Sequence, residues 1–81
     1  MAAGWFTCKV GAAGPAEDGT IFVALADVGG AFGLQWFSAV PAERKEMLAT
    51  ALSAIATAKN VWAFVTDTVP YSVINRLYVV A

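Results

Sequence analysis

The sequence contains no histidine and only one cysteine, Cys8, among its 81 residues. Without histidine the chain lacks the commonest general base at neutral pH and the commonest metal ligand. One cysteine cannot close a disulfide within the chain, and one cysteine with six carboxylates excludes a structural zinc site built from a single chain. We therefore predict no catalytic residues, no metal site and no cofactor, and we do not expect an enzyme. Cys8 lies in an apolar run, which favours a buried structural thiol.

Charged side chains are also few, since five basic and six acidic residues give a net charge of −1. They nevertheless interrupt the chain often enough that no apolar stretch reaches the roughly 20 residues of a membrane-spanning helix. The start, MAAGWFTCKV, lacks the basic segment and apolar core of a signal peptide. We expect a soluble protein without membrane insertion. The compartment is left open between the cytoplasm and secretion after removal of a signal.

Apolar residues, in contrast, make up 59% of the chain. A chain of this length fits one domain, residues 1–81, with a single small core. Some apolar surface should therefore remain outside that core, and in soluble proteins such surface most often contacts another chain.

Turn residues divide the first half of the sequence into three predicted strands. Residues 5–10 and 20–27 are rich in aromatic and β-branched side chains, and the segment between them, GAAGPAEDGT, is typical of a loop. Gly29-Gly30 suits a tight hairpin turn, after which Phe32, Leu34 and Trp36 alternate in a third strand. Gly33 within that strand indicates a bulge or bend.

The second half predicts one helix followed by two strands. The helix should span about 41–58, because Pro41 suits a first helical position and Asn60 is a plausible left-handed cap. The runs at 61–67 and 71–81 have strand composition. Three strands, a helix and two strands form the order of the OB-fold, so we predict a mainly β, α+β chain folded as a five-stranded OB-like barrel.

The same order, with "MLATALSAIATAKNVWAFVTD" followed by "INRLYVV", resembles the small OB-fold B subunits of bacterial pentameric toxins. The resemblance covers residues 5–81 at the level of architecture. It implies a ring-shaped homo-oligomer, with a pentamer favoured, a glycan as ligand and a larger partner chain as a further possibility.

The helix carries two kinds of surface. Leu48, Leu52 and Ile55 form an apolar stripe that should close one end of the barrel. The remaining faces are small and uncharged, which favours close contact with another chain, although alanine also has the highest helix propensity and could simply fill an exposed face. The C-terminal run LYVVA would be an exposed edge strand on a monomer. The predicted subunit interface comprises Ala49, Thr50, Ser53, Ala56, Thr57, Tyr78 and Val80.

Aromatic residues are the remaining resource for ligand binding, although packing in the core or an interface is the commoner role of any one of them. The predicted ligand site comprises Trp62, Thr66, Asp67, Thr68 and Tyr71. We thus predict a non-catalytic binding or structural module. Two alternatives stay open: an oligomeric scaffold without a small ligand, and an OB domain that binds single-stranded nucleic acid. The net charge of −1 disfavours nucleic acid, which needs a basic groove.

Overall fold

The structure, a computed structural model, describes residues 3–80. Its strands are β1 (Gly4–Pro15), β2 (Ile21–Asp27), β3 (Gln35–Ala39), β4 (Val61–Val65) and β5 (Val73–Val79). A 3-10 turn, Pro41–Glu43, leads into the helix α1 (Arg44–Thr57) between β3 and β4. Ala81, the last residue of the predicted final strand, lies outside the described residues.

The strands close into one barrel in the order β1-β2-β3-β5-β4. Every neighbouring pair is antiparallel except β3 and β5, which run parallel where Ser38 and Ala39 pair with Val73 and Ile74. This order, with the helix between the third and fourth strands, is that of an OB-like barrel. The predicted fold class is confirmed.

The first strand is longer than predicted. The segment 11–15, expected to be a loop, continues β1 and pairs with β2 as far as Pro15 opposite Ile21. Residues 4–8 of the same strand pair with β4, so β1 passes from one partner to the other. The ladder shifts register between Val10 and Ala12, which places a bulge at Gly11. Gly33, expected to mark a bulge or bend within the third strand, lies instead in the loop before β3.

The connection from β2 to β3 is also longer than a two-residue hairpin. Gly30 does form a turn at φ 87°, where its N–H donates to the Asp27 carbonyl over 3.1 Å. The Asp27 carboxylate then accepts the Ala31 N–H at 2.7 Å and extends the loop. Phe32, predicted in a strand, lies in this loop and packs into the core against Phe37, with ring centroids 5.2 Å apart. Consequently β3 begins only at Gln35.

The helix turns a different face to the barrel than predicted. Met47, Ala51 and Ala54 are buried against the core, whereas Leu52 is 48% exposed and Ile55 is 42% exposed. The expectation that Leu52 and Ile55 close the barrel is therefore wrong, although Leu48 packs at the core margin. Alanine at two buried positions lets the helix backbone approach the strands closely, and longer side chains there would not fit a core this small.

The helix ends at Thr57, one residue before its predicted end, and its left-handed cap lies two residues before the predicted one. Ala58, not Asn60, adopts the left-handed conformation, at φ 55°. The Lys59 N–H then donates to the Ala54 carbonyl over 3.0 Å, which satisfies a carbonyl of the last turn. None of the helices in residues 3–80 is both long and apolar enough to cross a membrane.

The last strand is an edge over part of its length. Its ladder with β3 includes only Val73 and Ile74, whereas residues 76–79 pair with β4 alone among the described strands. The first turns of α1 lie beside this stretch, where Glu46 and Thr50 line a small cavity with Asn75 and Leu77. Within the predicted edge LYVVA, residues 77–79 thus have no partner among the described strands on the β3 side, although α1 lies beside them.

Candidate binding site

The loop between β4 and β5, residues 66–72, is fastened to β3. The Tyr71 N–H donates to the Trp36 carbonyl over 2.6 Å, and the Ser38 N–H donates to the Ser72 carbonyl over 3.0 Å. The Gln35 side-chain amide also donates to the Thr68 carbonyl at 2.5 Å. These three bonds hold the loop against the strand and determine where its side chains point.

Tyr71 has a backbone conformation that bulky residues rarely adopt. Its φ is 67°, in the left-handed region, yet its side chain remains 62% exposed. Such a conformation costs on the order of 1–3 kcal/mol and persists only where the surrounding structure holds it. The bond to Trp36 supplies that hold. The ring rests edge-on against Phe22, with centroids 5.8 Å apart and planes at 87°.

Tyr71 and Phe22 border an open groove with Trp36, which is 41% exposed. We call it the Trp36 groove. Its volume is about 370 Å³, and its remaining wall is formed by the last residues of β1 from Ala13 onward and by Ala16, which follows the strand. It lies on the β2–β3 face beside the β4–β5 loop, where OB-folds bind oligonucleotides and oligosaccharides. Among the described residues, no charged side chain lines it.

The five predicted ligand residues do not form one cluster. Tyr71 borders the Trp36 groove, and Trp62 lies in a second groove on another part of the barrel. The three residues between them shape the loop: the Thr66 hydroxyl accepts the Val73 N–H at 3.2 Å, and the Asp67 carboxylate accepts the Thr68 N–H at 2.7 Å. They support the position of Tyr71 and do not line either groove.

Phe22 and Trp36 are groove residues that sequence reasoning did not select. The structure shows both side chains more exposed than the buried residue that follows each of them, but the sequence carries no such signal for Phe22, because its strand is apolar on both faces. What the sequence does not reveal is that the distant Tyr71 is carried to the same place by the bonds of its loop to β3.

A second aromatic surface covers the outer side of β1, β4 and β5. Trp5 lies opposite Phe64 and Trp62 lies opposite Tyr78 in the ladders. Trp5 and Tyr78 stack across β4, with centroids 5.9 Å apart and planes at 19°. Tyr78 and Val80, both predicted interface residues, line an open groove here with Trp62, which we call the Trp62 groove.

The predicted helix contact face lies mostly in solvent. Ala49, Ser53, Ala56 and Thr57 are exposed and Thr50 is half-buried. The two threonine hydroxyls donate to carbonyls one turn back, at 2.9 and 2.7 Å, so they need no external partner. Because Leu52 and Ile55 are also exposed, this side of the helix is more apolar than expected.

Cys8 is fully buried, and burial with a smaller contribution from Asp27 raises the pKa of its thiol from 9.0 to about 12. A thiol with this pKa is protonated at neutral pH and is not a nucleophile. Among residues 3–80, no group of three or more carboxylate or thiol side chains could hold a metal ion. The two aromatic grooves offer surfaces for non-covalent contact.

Comparisons of this chain with protein-family models, with curated proteins and with solved structures found no match. The fold assignment therefore rests on the strand order and on the parallel pairing of β3 with β5.

Proposed function

We propose that this protein is a non-catalytic binding module that takes a glycan in the Trp36 groove and assembles into a ring-shaped homo-oligomer. The observation that carries the proposal is Tyr71, an exposed aromatic residue held in a left-handed conformation beside exposed Trp36. Backbone strain of this kind clusters at binding sites, because a ligand contact can require a geometry that local preference disfavours.

The chemistry of the groove suits a neutral sugar. Trp36, Tyr71 and Phe22 offer ring surfaces on which the C–H face of a pyranose can stack, and the Tyr71 hydroxyl can exchange hydrogen bonds with sugar hydroxyls. Without a basic side chain among its described lining residues, the groove does not favour the phosphates of a nucleic acid. A groove of about 370 Å³ also suits one or two sugar rings better than a long polymer.

Assembly is supported by two features of the single chain. The exposed side of α1 carries Leu52 and Ile55 among small residues, and β5 has no partner among the described strands on its β3 side from Asn75 onward. A head-to-tail contact that uses both surfaces closes into a ring when the rotation between subunits permits it. The resemblance to toxin B subunits favours five subunits. A ring would repeat the Trp36 groove on every subunit and raise the avidity for a multivalent glycan surface.

The proposal is tested on a glycan array with fluorescently labelled protein. Tyr71→Gly removes the ring and relieves the left-handed strain, so the variant should remain folded while its signal falls about tenfold or more. Trp36→Ala should lose binding similarly. Trp62→Ala is the matched control, since it removes an exposed indole outside the Trp36 groove.

Retained binding by Tyr71→Gly would contradict the assigned site, as would loss of binding in Trp62→Ala alone. If the wild-type protein binds no glycan on the array although light scattering shows a discrete oligomer, the scaffold alternative without a small ligand replaces the proposal.

A further inference from the structure

The Trp62 groove is the larger of the two aromatic grooves, at about 750 Å³. Three of its aromatic side chains are about half exposed: Trp5 at 48%, Trp62 at 51% and Tyr78 at 49%. Phe6, Thr7, Arg76, Val79 and Val80 complete its lining. Cavities of this size and aromatic character are typical of small-molecule sites.

Arg76 is the only charged side chain among the described residues that line this groove. It is exposed, and within residues 3–80 its guanidinium has neither a hydrogen bond nor an ion pair. Glu43 and Glu46 share a separate, smaller cavity with it but do not pair with it. A free guanidinium beside ring surfaces offers a planar pair of donors to a carboxylate or sulfonate.

We propose that the Trp62 groove binds a small organic anion that carries a flat apolar ring system. The ring system would stack on the indoles of Trp5 and Trp62, and the anionic group would accept hydrogen bonds from Arg76. The groove shares no lining residue with the Trp36 groove, so this inference does not depend on the glycan proposal.

A second copy of the chain is a poorer occupant of this groove. If two copies met through the same groove, their Arg76 side chains would face each other, because no described carboxylate lines it. That contact would bury unpaired guanidinium groups, which costs several kcal/mol. An organic anion satisfies the same group.

The test uses two fluorescent probes with the same ring systems, anilinonaphthalene sulfonate and the neutral phenylnaphthylamine. Each is titrated into the folded full-length chain, whose near-UV circular dichroism confirms the tertiary structure of every variant. Arg76→Gln should weaken binding of the sulfonate about tenfold or more and change binding of the neutral probe less than about twofold. Trp62→Ala should weaken binding of both probes.

Lys9→Gln is the matched control, because it removes one positive charge from an exposed side chain that lines a different cavity. It should leave the affinities for both probes unchanged. The proposal is wrong if the folded protein binds no sulfonate probe, or if Arg76→Gln affects the two probes equally. It is also wrong if affinity for the sulfonate probe falls as protein concentration rises, since a second copy would then occupy the groove. None of these results bears on glycan binding by Tyr71.

Discussion

Cys8 shows how burial in the core changes the chemistry of a single residue. Its side chain is fully buried beside the strand partners Val61 and Asp27. Burial disfavours the thiolate, so the pKa of the thiol in the folded protein is about 12 instead of 9.0. Between these values the unfolded chain releases a proton that the folded chain retains.

Stability should consequently fall as the pH rises through this range. The unfolded state binds fewer protons there, which lowers the free energy of unfolding by up to about 1.4 kcal/mol per pH unit. Urea unfolding at about pH 7.5 and about pH 10 should show wild type losing roughly 1 kcal/mol more than Cys8→Ala. Cys8→Ala is the control, because it keeps every other ionisable group of the wild type and therefore shares every pH effect that does not come from the thiol. Parallel losses in the two proteins would contradict the buried, protonated thiol.

At the scale of elements, the end of α1 illustrates how backbone geometry departs from residue preference. Ala58 occupies the left-handed position that glycine or asparagine usually fills, and its N–H bonds to carbonyls of the last turn. The Cβ of alanine is unfavourable at this φ, whereas it is favourable two residues earlier inside the helix. The same substitution at the two positions should thus have opposite effects.

Ala58→Gly should raise the free energy of unfolding by about 0.5–1 kcal/mol, because glycine adopts positive φ without a steric cost. Ala56→Gly, at an exposed helical position, should lower it by a similar amount, about 0.5–1 kcal/mol. Chemical denaturation of both variants alongside wild type gives the comparison. Destabilisation by Ala58→Gly would show that the helix does not end in this left-handed conformation.

For the whole molecule, the question is whether the exposed side of α1 contacts another subunit. Ile55 is 42% exposed, so Ile55→Glu should change the stability of a monomer little. Buried in an interface, the new carboxylate would be unpaired and would cost several kcal/mol, enough to dissociate subunits at low micromolar concentration. Val28→Glu is the control, since Val28 is 59% exposed in the loop between β2 and β3.

Light scattering coupled to size exclusion measures the outcome. Wild type and Val28→Glu should share one discrete mass that is a multiple of 8.5 kDa, with a fivefold multiple favoured by the resemblance. Ile55→Glu should elute at the mass of one chain. A monomeric wild type would contradict assembly and would leave helix propensity as the reason for the alanines of α1.

The order of the elements, and from it an OB-like barrel, could be predicted from the sequence. Turn residues, β-branched runs and one alanine-rich segment act through neighbouring residues, so they indicate strands and a helix independently of the rest of the chain. Only tertiary contacts explain why β1 continues to Pro15. Residues 4–8 of this strand pair with β4, and pairing with β2 then keeps the chain extended as far as Pro15. Tertiary structure also decided which side of α1 faces inward, since the space above the barrel admits Ala51 and Ala54 but leaves Leu52 outside.

The candidate binding site, too, could be predicted from the sequence only in part. Alternation along a strand assigns Trp36 and Trp62 each to one face, but it cannot show that this face points outward or which distant side chains join each of them. Hydrogen bonds from the β4–β5 loop to β3 carry Tyr71 to Trp36, whereas strand pairing carries Trp5 and Tyr78 to Trp62. Local preference would not select the left-handed φ of Tyr71, because only long-range contacts offset its cost. The two grooves are therefore products of barrel closure.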